Sequence, residues 1–179
     1  MLYVALLRGI NVGGHTVKMD RLRDLFRDLG LDDVRSYIQS GNVFFETNDT
    51  ESAALATRIE RHLHEALGYE VPVFLRSAQQ LQAILALDPF AALDVTPEMR
   101  LCVVFTDTPI PVDTPFPVRS VKGDVEVVGA LESDAFMVWH IINGRPVATS
   151  SYRFDFLAAR NTTRFFHTLV KIVAAATGG

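Results

Sequence analysis

With 179 residues, 49% of them hydrophobic, the chain is long enough for one sizeable domain or two small ones sharing a core, and it should bury roughly 70% of its unfolded surface without disulfide or metal staples. A formal net charge of −4 argues against sequence-independent binding to nucleic acid, which depends on neutralising many phosphates, and arginine (14) so outnumbers lysine (3) that most positive charge is planar and bidentate. The single Cys102 has no partner for an intramolecular bridge, no run approaches a membrane span, and the opening residues lack the basic flank of a signal peptide, so a soluble, cytoplasmic protein is expected.

Residues 2–8 are short, almost wholly apolar and end at Gly9, the pattern of a buried strand. From Asp20 to Leu29 the period changes: Leu22, Leu25, Phe26 and Leu29 fall on one helical face, Arg21, Arg23, Arg27 and Asp28 on the other, and Gly30 is the stop. Residues 34–39 and 42–46 are expected as strands joined by a tight turn at Ser40-Gly41. Asn48-Asp49-Thr50 offers caps for a helix over 51–67, and Val71 to Leu75 returns as a strand. This order, strand, helix, strand, strand, helix, strand, is the split βαβ arrangement of a ferredoxin-like plait. Its geometry places the loop 9–18 and the turn 39–42 at the same end of the sheet.

Ser77-Ala78-Gln79-Gln80 matches a capping box and opens a helix that must end before Pro89. Beyond a connecting segment at 88–98, Leu101 to Thr106 is a strand, Pro109 to Pro117 a loop, and Val125 to Val128 and Phe136 to Ile142 two further strands. Asn143-Gly144-Arg145-Pro146 turns the chain, and Asn161 is placed to cap a last helix with Thr162-Thr163-Arg164 at its start. The expected fold is therefore α+β, with two α/β-plait subdomains over 1–87 and 99–179, the second less regular.

The run Val4-Ala5-Leu6-Leu7-Arg8-Gly9-Ile10-Asn11-Val12-Gly13-Gly14, then Val17-Lys18-Met19 with Leu22 and Leu25, then Tyr37-Ile38-Gln39-Ser40-Gly41-Asn42-Val43, resembles the bacterial domain-of-unknown-function family numbered 1697. Asn143-Gly144 and Thr162-Thr163-Arg164 with Thr168 are similar to the family's C-terminal signature, which departs here at Phe165-Phe166-His167. The resemblance implies a pair of α/β-plait subdomains and brings no established activity.

The glycine loop lacks both the GxxxxGK[ST] spacing of a P-loop and the GxGxxG dinucleotide fingerprint. Gly9, Gly13 and Gly14 nevertheless precede a helix start, whose backbone donors favour an anion, with Arg8, His15 and Lys18 adding positive charge. The candidate ligand-binding set is Arg8, Asn11, Gly13, Gly14, His15, Lys18, Gln39, Ser40 and Asn42, with Thr163 and Arg164, and the expected partner is a small phosphate- or carboxylate-bearing ligand. The plain alternatives are a βα connection for the first loop, a self-satisfied hairpin for Gln39-Ser40-Gly41-Asn42, and helix caps for Thr162-Thr163. His62 and His64, two apart on a helix, point to different faces, so no metal or other cofactor is expected. Phe154, Phe156, Phe165 and Phe166 fit a core or a homo-oligomer surface. Three function classes stand side by side: a binding module, an enzyme using the same cleft, and a structural protein without a ligand.

Overall fold

A computed structural model of the chain describes residues 1–148 and 152–178. By internal contacts the chain divides into two compact units, Met1–Ala83 with Lys171–Gly179, and Ile84–Val170. Among the described residues there are two antiparallel sheets and four helices, an α+β fold.

The first unit runs β1 (Leu2–Leu7), α1 (Met19–Arg27), β2 (Asp32–Ser36), β3 (Asn42–Glu46), α2 (Ser52–Leu67) and β4 (Val73–Ser77), with its sheet ordered β2-β3-β1-β4 and every neighbour antiparallel. Strand β1 is central and buried on both faces, which is why it appears in the sequence as a continuous apolar run and not an alternation. Its residues Tyr3, Ala5 and Leu7 share one core with Val43 and Phe45 of β3, Leu22, Leu25 and Phe26 of α1, and Leu55, Ile59 and Leu63 of α2. Both helices thus lie on one face, as the period of their apolar residues requires. Each Val, Leu, Ile or Phe side chain among them contributes about 1.5–3 kcal/mol on burial.

Register fixes what lies at the edge. Leu6 is opposite Asn42 and Leu7 opposite Val73, so the exit of β1, the start of β3 and the start of β4 share one end of the sheet. The junction between β2 and β3 differs from the expected tight turn. Strand β2 stops at Ser36, and 37–41 form a five-residue loop in which Ile38 (φ 50°) and Gly41 (φ 74°) leave the extended region. At its other end β2 reaches back to Asp32 through a bulge that takes up Asp33 at φ 45°. Helix α2 is capped less directly than expected: Asp49 Oδ1 accepts from the amide of Glu51, while Glu51 occupies the N-cap without a side-chain bond.

The helix α3 (Ala78–Leu87) opens on the reciprocal capping box read from the sequence, Gln80 N–H donating to Ser77 Oγ at 3.1 Å and Ser77 N–H to Gln80 Oε1 at 2.8 Å. Then follow β5 (Met99–Thr106), β6 (Val118–Arg119), β7 (Val125–Leu131), β8 (Asp134–His140), β9 (Asn161–Phe165) and α4 (Phe166–Thr177). The second sheet is ordered β6-β7-β8-β5-β9, and no helix intervenes between β5 and β9 among the described residues, so this unit departs from a regular plait. Cys102, Val104, Val125, Val127, Ala135, Met137 and Phe154 form one of its cores, with Phe156 packed against it. Burial pushes the Cys102 thiol up to about 12, which withholds the thiolate at neutral pH.

The expected helix start at Asn161–Arg164 is corrected to a strand. Thr162, Thr163 and Arg164 pair with Phe105, Val104 and Val103, and the helix begins only at Phe166. Asn161 donates instead to the carbonyl of Ala158 at 2.7 Å. Cap-like residues were overridden by long-range pairing, the usual way in which tertiary context defeats local preference.

Candidate functional site

Three segments meet at the edge where β1 ends. The first is the loop 8–18, the second the loop 37–41, and the third the connection that enters β4. Backbone bonds tie all three to the strand: Leu7 N–H donates to Gly41 O at 2.8 Å, and Arg8 N–H to Pro72 O at 3.0 Å. Asn11 then bridges the two loops, its Nδ2 donating to Gln39 O at 3.0 Å while its Oδ1 accepts from Val17 N–H at 2.8 Å. It does so at φ 56°, a left-handed conformation that asparagine tolerates better than most residues.

Several residues of the candidate set are therefore braces. Asn42 is fully buried, and its Nδ2 donates to Ser40 Oγ at 3.0 Å and to Tyr37 O at 3.3 Å, closing the second loop from inside. Gly41 is buried as well, and a Cβ there would stand 3.0 Å from Leu7 Cβ and 3.2 Å from Ile10 Cβ. Close approach to the scaffold, more than access for a ligand, is what this glycine provides. Gly13 and Gly14 differ: both have positive φ (61° and 88°), His15 N–H donates to Val12 O across them at 3.1 Å, and an added Cβ at either would meet nothing within 4 Å. They form a tight two-residue turn in open space.

Two of the side chains exposed at this edge, Arg8 and Lys18, carry positive charge. Arg8, His15 and Lys18 are exposed, as are Gln39 and Ser40. Lys18 occupies the N-cap of α1 in an extended conformation and makes no side-chain capping bond, so the helix start keeps orphan backbone donors of the kind that attract an anion. Asp20, in the first turn, opposes that attraction. Its carboxylate is held by Arg23, which also donates to Ser36 Oγ at 2.6 Å, so much of its charge is compensated within the helix.

Sequence reasoning missed Tyr69, whose ring lies against the imidazole of His15 with centroids 4.0 Å apart and planes 13° apart. One signal could have found it: β4 runs antiparallel to β1, so the residues leading into β4 must lie where β1 exits. Tyr69 follows Gly68, the left-handed cap of α2, and its ring packs against the core of the unit.

Thr163 and Arg164 belong to the second unit, in β9. Arg164 is buried, its Nη1 donating to Thr162 Oγ1 at 2.9 Å and Thr163 O at 3.0 Å, and burial lowers its guanidinium to about 10. Elsewhere in that unit Glu126 stands between Arg119 (3.3 Å) and His140 (3.6 Å). Among the described residues no group of three or more His, Cys, Asp or Glu is placed to hold a metal ion, and no helix is long and apolar enough to cross a membrane.

A family model described as "Protein of unknown function (DUF1697)" matches residues 1–136. The chain is also similar to the conserved bacterial protein SP0830 of Streptococcus pneumoniae, with a TM-score of 0.70 and 24% identity over 98% of each chain. At that identity the likeness shows the fold alone. No curated protein matches the chain significantly.

Proposed function

The chain belongs to the DUF1697 family of proteins of unknown function, and from that premise we propose that its first unit is a binding module for a small ligand bearing a phosphate or carboxylate, held at the edge formed by loops 8–18 and 37–41. The observation that carries this reading is the Asn11 bridge. Asn11 spends its amide nitrogen on the second loop and its oxygen on the first, so both loops are fixed in place, while Arg8, His15 and Lys18 are exposed around a helix start without a side-chain cap. Pre-organisation supports binding because the entropy of ordering the loops has already been spent in folding.

A local cationic edge on a chain of net charge −4 favours small anions over long polyanions, since only a few phosphates can be neutralised there. Each charge-assisted hydrogen bond lost should weaken binding roughly 10- to 150-fold. Titration calorimetry with pyrophosphate, ribose 5-phosphate and citrate on the wild type, Lys18→Ala and Arg8→Ala tests the reading. Binding that drops in both variants supports it; no binding, or binding indifferent to both substitutions, removes it.

A further inference from the structure

We propose that the ligand of this edge is a nucleoside phosphate, with its base laid on the solvent face of His15 while its phosphate sits toward the start of α1. The inference rests on the anion-binding reading above and narrows it. One face of the His15 ring is covered by Tyr69, nearly parallel at 4.0 Å, and the residue is nonetheless exposed. Tyr69 is itself packed on the core of the unit, so the imidazole is held in a set orientation by a ring that cannot swing freely. A stacked pair of this kind leaves one flat face open, the geometry on which a nucleobase stacks.

Two apolar side chains at the loop tips point the same way. Val12, across the Gly13-Gly14 turn from His15, is 60% exposed, and Ile38, next to the residue that anchors Asn11, is 48% exposed. Ile38 is β-branched and held at φ 50°, a conformation such residues avoid. Neither side chain belongs to the core. An inorganic phosphate or a sugar phosphate would use neither of them, whereas a base and its ribose present apolar surface to both. Reach is adequate: His15 and Lys18 are three residues apart, at most about 11 Å of chain, a span that a base and its 5′-phosphate can bridge.

The test compares AMP, GMP, CMP and UMP with ribose 5-phosphate and with adenosine, by calorimetry on the wild type, His15→Ala and His15→Phe, each first shown to be folded by thermal denaturation. At least one nucleotide is expected to bind about tenfold or more tighter than ribose 5-phosphate. His15→Ala should abolish that advantage and His15→Phe, which keeps a flat ring and loses the imidazole nitrogens, should retain it. If no nucleotide exceeds ribose 5-phosphate, or if His15→Ala weakens all phosphates equally, the stacking platform is overturned and the anion site stands. If adenosine binds as tightly as AMP and ribose 5-phosphate does not bind, the anion reading fails, and the proposal of a phosphate-bearing ligand fails with it. If no ligand binds, both are wrong.

Discussion

The two glycine turns at the end of β1 have the same backbone sign and opposite surroundings. Gly41 sits at φ 74° against Leu7 and Ile10, its carbonyl accepting from the strand, whereas Gly13 and Gly14 turn the chain with nothing within 4 Å of where a Cβ would be. The comparison separates what a glycine does for the scaffold from what it leaves available to a ligand. In the second loop Gly41 is wedged against the scaffold, whereas the Gly13-Gly14 turn of the first is an open rim, and the Asn11 side chain bridges the two loops. A site built this way has a rigid inner wall and an outer wall that can be altered at little cost to the fold.

Gly41→Ala should therefore produce the largest effect. The left-handed conformation costs about 1–2 kcal/mol, overpacking against Leu7 and Ile10 about 1–3 kcal/mol more, and both should appear as a lowered denaturation midpoint. Asn42→Ala comes next. It leaves the carbonyl of Tyr37 and the hydroxyl of Ser40 without their amide donor, a loss of about 1–3 kcal/mol in urea unfolding. Gly13→Ala has only the conformational cost of about 1–2 kcal/mol, because there is room for the methyl group. If chemical denaturation finds Gly13→Ala as damaging as Gly41→Ala, the distinction between wedge and rim is lost.

Lys18→Ala should leave stability within about 0.5 kcal/mol, as expected for an exposed position away from the core. Its effect should be seen in ligand titration. Cys102 supplies the control for all four variants: with its thiol raised from 9.0 to about 12 by burial, alkylation by iodoacetamide at pH 8 should be absent until the protein unfolds. The sign of the linkage is set by the same shift. Above pH 9 the unfolded chain gives up this proton while the folded one keeps it, so the stability linked to Cys102 is complete below pH 9 and lost as the pH climbs toward 12. A Cys102→Ala chain should show a shallower alkaline loss over that range.

How much of this was legible in the sequence depended on how local the cause was. The helices α1 and α2 and the Ser77–Gln80 capping box could be read directly, because their determinants lie within one or two turns. The neighbouring of β1 and β3 followed from element order alone. The loop at 37–41 could not be read, because a β-branched residue at positive φ runs against every local preference and is imposed by the way Gly41 and Asn42 lock onto the strand. Strand β9 was hidden for the opposite reason: Asn161-Thr162-Thr163 looks like a helix cap, and only pairing with β5, more than fifty residues away, decides otherwise. In the candidate site the charged and glycine residues were recognisable by type. That Asn11, Gly41 and Asn42 are braces, and that Tyr69 stands behind His15, depended on three-dimensional register.

The most direct measurement is a two-dimensional amide NMR titration of the ¹⁵N-labelled protein with AMP, which reports on each backbone N–H separately. Binding at the edge of the first unit predicts that the amides of Gly13, Gly14, His15, Lys18 and Met19 shift together with those of Gln39 and Ser40, saturating along one curve, and that Lys18→Ala moves that curve to higher ligand concentration. Shifts confined to other parts of the chain, or an unchanged spectrum at millimolar AMP, would contradict the account.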